Sequence, residues 1–590
     1  MKKLLSVLMV LVLSFSTLAM TACGPSSSGP SINEGQTQLY VGLFKDGITD
    51  AWLQAAIDDF EDKYKDVSFE TGKKGVQVVH DYSTGPFKPG TFESNVKSLV
   101  NSLYFLDQED YTSYVAKGLL RDMTTILEKD VYNENGEMVN ISLSPDAKSL
   151  VIDTNSAKTS MMDIMYEDCK TYFNRDGKFY SAPYLYIING AIYDADYFND
   201  SALYFFANGE MGATQADIDR GESEDGSFEI GYGPDGVKGT TDDGMPETWD
   251  DFIRLCQNMD ATPFVWSGKE TYQRSNFFQS VWANYQGYED FMLLSKLQGT
   301  LSDGTTEVNA NNALEILGSM EGRKAGIKAL YDIKDMGIKN SRGDDDWTTY
   351  DEYLSQSKFV YSVDETKRVA MLLDGGYWEV NMKGVFEEMS NRDAKKGYGM
   401  RDFRLLPIPN FTDSNQGFSV QKDRTDKNEI LFSSTPGIVC MPSEYKNQND
   451  VQDRLAELFL YFTHSREQMI QFTKYTGGCI KPYHFDTSNI KEGDVTKFGA
   501  NILSYLSDGA KIATTFPLTD LAKKNHSLLY NELNGNFVFR VVDGQMSYTD
   551  PISYFKYYNA VQGVSASEAI NRCFNDMKAS ILSTGKLQTV

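Results

Sequence analysis

The sequence predicts an α/β fold in at least two domains, with mostly parallel strands. Short runs of β-branched and aromatic residues alternate with stretches whose apolar residues recur at helical spacing. The length of 590 residues exceeds the roughly 100–200 residues that one domain usually holds. No internal repeat of roughly 20–50 residues is present, which disfavours solenoids and propellers.

The first elements after residue 36 alternate between strand and helix patterns. The predicted order is a strand at 39–44, a helix that begins after Thr49, a strand at 76–82, a helix at 92–99 and a strand at 103–106. Ligands of open α/β sheets gather outside the carboxyl ends of the strands, so we expect a site beyond these strands. The residues placed there are Trp52, Tyr82, Asp107 and Tyr111.

Three later helices are equally clear, and two polar stretches interrupt the pattern. Thr248 begins a segment that resembles a capping box at the start of a helix. Residues 451–462 form one apolar stripe of a helix that stops near Gly477, and Ser565 caps a final amphipathic helix. The segments interpreted as insertions are residues 131–177 and 208–246.

The composition disfavours nucleic-acid binders, disordered chains and multi-spanning membrane proteins. The chain has 56 Lys and Arg against 83 Asp and Glu, a formal charge of −27, and no basic stripe offsets this balance. An electrostatic nucleic-acid binder is therefore disfavoured. With 41% hydrophobic residues and a mean hydropathy of −0.41, the composition is that of a globular protein rather than a disordered or multi-spanning one.

The N-terminus has the three parts of an export signal. Lys2 and Lys3 precede an uncharged run at residues 4–20, and small residues then lead to Cys23. This run is shorter than the about 20 residues that span a bilayer, although an N-terminal signal anchor remains the alternative. The pattern resembles a bacterial lipoprotein signal, in which the cysteine receives lipid. We predict a signal peptide at 1–22, a flexible tether at 23–36, and a lipid anchor at Cys23 on the extracellular face of the membrane.

Catalytic motifs are missing from the sequence. Zinc-protease, serine-hydrolase and Walker A strings are absent, and the string at residues 231–236 matches G-x-G-x-x-G without the flanking strand and helix that a dinucleotide site needs. Chance carboxylate pairs are certain among 83 acidic residues, so a pair does not identify a glycosidase. The residues expected to be structural are Cys169, Cys256, Cys440, Cys479, Cys573, His80, His464, His484 and His526.

The acidic insertion could hold a calcium ion. Asp235, Asp242 and Asp243, together with backbone carbonyls at glycine turns, offer the hard oxygen ligands that Ca²⁺ prefers. EF-hand spacing is absent, and a solvated acidic turn is the alternative interpretation. A structural calcium ion is therefore an expectation for this loop, and no cofactor is expected to be required.

Aromatic residues are the richest chemical feature of the chain. Six Trp, 35 Tyr and 34 Phe make up 13% of it, and most should fill the core. Sugar sites use the same residues, because flat rings pack on the C–H faces of pyranoses while Asp, Asn and Gln bind the hydroxyl groups. Three clusters combine rings with polar neighbours: residues 276–285 with Trp282, residues 374–379 with Asp374 and Trp378, and residues 550–555.

In their order along the chain, these pieces resemble the family 1 extracellular solute-binding proteins of carbohydrate ABC importers. This group includes maltose-binding protein, and the chain is similar to its long Firmicutes-type lipoprotein form. The matching segments are Cys23 with the small residues before it, residues 103–107, 178–184 with 192–193, 246–252, 370–375 and 435–439.

The resemblance implies a two-lobed, periplasmic-binding-protein-like fold of type II with three hinge crossings. The crossings are expected near Pro183, Pro407 and Lys481. Lobe I would then hold residues 37–183 and 410–480, and lobe II residues 186–405 and 483–590. The substrate-binding residues predicted from the resemblance and from strand ends are Trp52, Tyr82, Asp107, Trp282, Asp374 and Trp378.

The function that the resemblance implies is transport rather than catalysis. A monomeric receptor would close on an oligosaccharide and deliver it to the permease subunits of the importer, without making or breaking a bond. Two alternatives stay open. A surface-anchored glycoside hydrolase would need a carboxylate pair about 5–10 Å apart across the cleft. A receptor of the same fold for a peptide or another solute would place charged groups between the lobes.

Overall fold

The computed structural model describes most of the chain beyond residue 30. The described residues are 31–43, 48–80, 91–106, 111–144, 146–412, 429–487, 490, 493–525, 551–552, 554–555, 563–583 and 585–588. The signal peptide lies outside them, as do the predicted functional positions Cys23, Tyr82 and Asp107 and the histidine His526. No helix in the described part is long and apolar enough to cross a membrane.

The strands of the described chain fall between Thr37 and Thr514. In order they are β1 Thr37–Leu43, β2 Val76–His80, β3 Leu103–Leu106, β4 Asp130–Tyr132, β5 Ile141–Leu143, β6 Leu150–Ile152, β7 Thr159–Ser160, β8 Asn174–Arg175, β9 Lys178–Phe179, β10 Ala182–Asp194, β11 Tyr204–Phe205, β12 Met211–Ala213, β13 Thr262–Val265, β14 Gly299–Thr300, β15 Glu307–Val308, β16 Val369–Gly375, β17 Phe403–Leu405, β18 Ile430–Cys440, β19 Cys479–Ile480 and β20 Lys511–Thr514.

The α-helices surround these strands and connect them. In order they are α1 Ala51–Tyr64, α2 Thr91–Asn95, α3 Tyr111–Ala116, α4 Thr124–Leu127, α5 Met161–Ile164, α6 Glu167–Phe173, α7 Ala195–Asp200, α8 Gln215–Arg220, α9 Trp249–Asn258, α10 Tyr272–Gln286, α11 Tyr288–Phe291, α12 Leu293–Lys296, α13 Ala313–Gly318, α14 Glu321–Ile333, α15 Glu352–Tyr361, α16 Trp378–Asn381, α17 Lys383–Ser390, α18 Asp450–Thr463, α19 Arg466–Thr476, α20 Lys497–Ser507, α21 Asp520–Lys524 and α22 Ala566–Ser583.

One ten-stranded sheet organises the molecule. Its main path is β13-β16-β10-β18-β3-β1-β2, while β17 and β19 pair with β10, and β20 pairs with β18. The outer pairs are parallel, as predicted, but β10 runs antiparallel to β16 and β18, and β18 runs antiparallel to β3. The prediction of mostly parallel strands is therefore wrong for the middle of the sheet. The fold is mixed α/β and matches the predicted class.

The sheet is divided into two lobes by its longest strand, β10. The first part of β10 pairs with the end of β18, which continues to β3, β1 and β2 in lobe I. The last part of β10 pairs with β16 and β17 in lobe II, where β13 and the β18 partner β20 also lie. The two lobes therefore share continuous strands.

The chain passes between the lobes at three places. The pairing of β10 shifts register between Tyr186 and Ile188, and β18 passes from lobe II partners at Ser433 to lobe I partners beyond it. The third passage is β19, which ends one residue before Lys481. Pro407, where a crossing was predicted, instead lies within lobe II, between β17 and the Asn410 carbonyl that accepts the Trp249 N–H at 2.8 Å. The second passage is therefore inside β18.

The last part of the predicted tether is bound to lobe I. The Asn33 N–H donates to Gln77 Oε1 at 2.8 Å, and Gln77 Nε2 donates to the Ser31 carbonyl at 2.9 Å. Gln77 belongs to β2, so these contacts extend the ordered lobe to residue 31. Any free tether thus ends before Ser31.

The core uses the residues that the apolar pattern identified. Thr248 caps α9, because its Oγ1 accepts the Asp251 N–H at 3.2 Å. His464 is fully buried at the end of α18. The predicted small buried hydrophobes are confirmed as buried free thiols: Cys169, Cys256, Cys440, Cys479 and Cys573.

Candidate functional site

A polar cluster lies at the carboxyl end of β16, in lobe II. We call it the lobe II polar cluster, and it comprises Asp374, Gln273, Gln356, Tyr272 and Tyr377. The strand delivers Asp374 to the sheet edge, the first turn of α10 supplies Tyr272 and Gln273, and α15 supplies Gln356. The edge is the place where ligands of α/β sheets gather.

Asp374 is the centre of this cluster. Its Oδ2 accepts hydrogen bonds from Gln273 Nε2 at 2.8 Å and Gln356 Nε2 at 2.9 Å, and its Oδ1 accepts the Gly375 N–H at 2.7 Å. Burial, together with the nearby Glu352 carboxylate, raises the pKa of Asp374 to about 8. The carboxyl group is therefore protonated near neutral pH and can donate as well as accept a hydrogen bond.

We expect Asp374→Asn to gain stability relative to the wild type as the pH rises. Between pH 3.8 and about 8, Asp374 is protonated in the folded wild type and ionised in the unfolded chain. The stability that the bound proton contributes is therefore fully present at low pH and is lost as the pH rises through about 8. Asparagine resembles the protonated acid and does not titrate. Urea unfolding at about pH 5 and about pH 9 measures the difference. A difference that stays constant with pH would contradict the raised pKa.

Two tyrosines complete the cluster. Tyr377 OH donates to Tyr272 OH at 3.0 Å, and Tyr272 remains partly exposed. Neither tyrosine was among the predicted binding residues, although Tyr377 lies in the predicted cluster at 374–379, directly after Gly375 and Gly376. That Gly-Gly-Tyr turn beyond a strand end was the available signal.

A group of aromatic rings lies in lobe I, and we call it the lobe I aromatic box. Trp52 stacks on Tyr184 with ring centroids 5.6 Å apart, and it meets Phe105 and Phe472 edge-on at 5.1 Å each. Lys481 places its Nζ 5.2 Å from the centroid of the Trp52 ring. The strand order explains this assembly, because Trp52 begins the helix after β1 and Phe105 lies in the adjacent β3.

The third passage between the lobes connects the cluster to the box. The Gly478 N–H donates to the Gly376 carbonyl at 2.7 Å, and the Gly376 N–H donates to the Ile188 carbonyl at 2.8 Å. A Cβ on Gly376 would lie 2.6 Å from the Gly478 carbonyl oxygen, so the close approach requires glycine. Gly376 leads to Tyr377 of the cluster, and Gly478 leads through β19 to Lys481 of the box.

Trp282 and Trp378, which were predicted to stack on sugar, are core residues in this structure. Both side chains are fully buried. Trp282 meets Phe278 and Phe291 edge-on, and the Arg323 guanidinium lies 5.5 Å from its ring centroid. The rings packed around Trp378 are Phe359, Phe386, Phe403 and Phe498. Since neither indole has an open face, this packing corrects the expectation.

Trp52 lies beyond a strand end, as predicted, and Asp374 lies at the end of β16, but both are buried. Trp52 is 3% exposed and Asp374 is 2% exposed. Their binding of a ligand therefore stays a prediction, and it requires the lobes to separate.

The carboxylates of the acidic insertion bind their own loop. Asp235 Oδ1 accepts the Val237 N–H at 2.7 Å, Asp243 Oδ2 accepts the Gly239 N–H at 2.8 Å, and Asp242 Oδ1 accepts the Thr240 hydroxyl at 2.8 Å. Within the described residues, no group of three or more acidic, His or Cys side chains is arranged to hold a metal ion. These contacts give the calcium prediction no support.

Comparisons with known proteins complete the description. No protein-family model matches the sequence, and no curated protein matches it. Among solved structures, the chain is similar to a family 1 extracellular solute-binding protein from Bifidobacterium longum subsp. infantis, at 12% identity and a TM-score of 0.44, covering 93% of this chain and 100% of that one. At this TM-score the similarity adds no argument to the strand pairing described above.

Two further solved structures are similar at the same level. One is the solute-binding protein RafE in complex with raffinose, at 14% identity and a TM-score of 0.46, covering 92% of this chain and 100% of that one. The other is BlMnBP1, a binding protein of an ABC transporter from Bifidobacterium animalis subsp. lactis in complex with mannobiose, at 14% identity and a TM-score of 0.46, covering 94% and 98%.

Proposed function

We propose that the protein is the extracellular substrate-binding lipoprotein of an ABC importer, which captures an oligosaccharide between its lobes and delivers it to a membrane permease. The observation that supports this function is that the third passage connects two unlike groups, one in each lobe. The lobe II polar cluster offers carboxyl, amide and phenol groups for hydroxyls, and the lobe I aromatic box offers ring faces for C–H surfaces.

In the proposed mechanism the two lobes close on the sugar, and no covalent bond is made or broken. The lobes separate by bending at the three passages, and a sugar that contacts both lobes favours the closed state by its differential contacts. The closed shape is what the permease subunits recognise. Tyr272 and Tyr377 orient the sugar from lobe II, and Trp52 stacks against it from lobe I.

The location of the receptor is part of the proposal. The basic, apolar and small-residue pattern that ends at Cys23 supports lipid attachment there and display of a monomer on the extracellular face of the membrane. The charge of −27 fits a partner other than nucleic acid. A glycoside hydrolase and a receptor for peptides are the alternatives that an experiment must separate.

Thermal unfolding of the lipid-free mature protein against a panel of oligosaccharides tests the proposal. A ligand that binds only the folded state stabilises it by about 2.7 kcal/mol at a concentration of one hundred times its Kd. We expect one class of glycan to raise the midpoint, with the sugar recovered intact. Cleaved sugar would indicate the hydrolase, and a shift with peptides alone would indicate a different receptor.

Two variants test whether the lobe II polar cluster binds the glycan that raises the unfolding midpoint. Tyr272→Ala removes a partly exposed ring and is expected to weaken binding about tenfold or more. Tyr353→Ala, at a position that is 62% exposed on α15, should leave the affinity as it is. Equal affinity in both variants would remove the lobe II polar cluster from the site.

A further inference from the structure

Lys481 carries a buried amine that has no counter-charge among the described residues. It follows β19 and is 1% exposed, yet its Nζ has no hydrogen-bond partner, and no ion pair involving it occurs in the described part of the chain. Buried charges in proteins are ordinarily paired and hydrogen-bonded, because an isolated charge loses its hydration. Lys481 therefore lacks the anionic hydrogen-bond acceptor that a buried lysine ordinarily has.

The lobe I aromatic box surrounds the ammonium group but does not neutralise it. Nζ lies 5.0 Å from the centroid of the Phe472 ring, 5.2 Å from that of Trp52 and 5.9 Å from that of Phe105. Ring faces attract a cation less strongly than an anion does. Trp52 adds a second donor to the box, because its buried Nε1–H has no hydrogen-bond acceptor among the described residues either.

The other titratable group near Lys481 cannot supply the missing charge. His464, at the end of α18, is fully buried, and its pKa is held well below the usual range by burial and by Lys481 itself. Its Nδ1 hydrogen-bonds the Leu460 carbonyl at 2.9 Å. Burial likewise lowers the pKa of Lys481, and no carboxylate contributes to that pKa. The box thus contains donors and rings without an anion.

We propose that Lys481 Nζ and Trp52 Nε1 receive the anionic group of an acidic oligosaccharide, a carboxylate or a sulfate, when the lobes open for ligand. The inference rests on the proposed function and names its substrate class. An anion supplies the acceptor lone pairs that these two unpaired donors need. The Trp52 ring lies beside Lys481 and can pack against the face of the sugar. The position at the third passage between the lobes lets the same contact favour closure.

Proton uptake is the signature of this arrangement. The free protein holds Lys481 with a lowered pKa, and a bound anion stabilises the ammonium form and raises that pKa again. Binding of an acidic sugar near pH 9 should therefore take up protons from the buffer, and binding of a neutral sugar should not. Titration calorimetry in two buffers of different ionisation enthalpy measures this uptake.

The experiment compares matched ligands on the wild-type protein. The probes are a uronate oligosaccharide, the same oligosaccharide with its carboxyl groups reduced, and a sulfated oligosaccharide. We expect the acidic ligands to bind about ten- to hundredfold more tightly than the neutral one, with proton uptake. Preference for the uronate or for the sulfated ligand identifies the anion.

Three variants complete the test. Lys481→Met should reduce the acidic preference to about one and abolish proton uptake, and Trp52→Phe should reduce the preference in part, because the ring stays and the N–H is lost. Lys474→Met, at an exposed lysine of α19, should keep both properties. Equal binding of acidic and neutral sugars by the wild type would overturn this proposal alone. Absence of binding by every saccharide would overturn the proposed function and this inference with it.

Discussion

Replacing Trp378 by alanine is expected to lower the free energy of unfolding by about 3–5 kcal/mol. The indole is fully buried, and its nearest neighbour, Phe403, has its ring centroid 4.8 Å away in a perpendicular arrangement. Truncation removes the buried apolar surface and leaves a cavity that the surrounding rings fill only in part. Whole domains are stable by about 5–15 kcal/mol, so the loss is large. Urea unfolding of wild type and variant gives the value.

The control for this substitution is Tyr353→Ala, whose side chain is 62% exposed. Its stability should remain within about 0.5 kcal/mol of the wild type. If Trp378→Ala instead unfolded at the wild-type urea concentration and lost affinity for sugar, the ring would be a binding platform, as the sequence suggested, rather than a core residue.

The second large effect is a gain of stability. Lys481→Met is expected to raise the free energy of unfolding by about 1–4 kcal/mol, because an apolar side chain of similar length avoids the cost of desolvating the amine and disfavouring its charged form. The methionine sulfur and methyl group keep contact with the rings of Trp52 and Phe472. Thermal unfolding and urea unfolding both report the change.

The pH dependence of this gain follows from the lowered pKa of Lys481. Between the folded and unfolded pKa values the unfolded chain binds more protons, so wild-type stability rises with pH across that window. The advantage of Lys481→Met should therefore shrink as the pH approaches 10.5, the ordinary lysine value. Lys474→Met, at an exposed position, should show neither the gain nor its pH dependence. A destabilised Lys481→Met protein would mean that the amine has a partner.

Local sequence patterns predicted individual strands and helix caps well. They did not predict strand direction or the second passage between the lobes, because both depend on contacts between distant segments. The strand at 103–106 has the predicted bounds, and the cap at Thr248 forms as expected, because both depend on neighbouring residues. The antiparallel direction of β10 and β18 depends on pairing between residues far apart in the chain. The passage inside β18 rather than near Pro407 has the same cause.

The candidate site shows the same division. Asp374 was found because it stands in a cluster of polar and aromatic residues and in a segment that resembles the family, and the structure places it at a strand end. Aromatic content cannot distinguish a ring that lines a cleft from a ring inside the core, so Trp282 and Trp378 were assigned to the site, whereas Tyr272 and Tyr377 were not. Lys481 was noticed as a crossing point, but its lack of a counter-charge depends on α1, β3 and α19 packing around it.

The unbroken path of β10 through both lobes has a mechanical consequence. Its register shifts between Tyr186 and Ile188, and such bulges let a strand bend while the ladder on either side stays paired. If the lobes open by bending here, the strand deforms elastically at the register shift, and the hydrogen bonds on either side stay paired. In the receptor proposed above, such an opening would cost little, so the contacts of a bound ligand would suffice to hold the lobes closed.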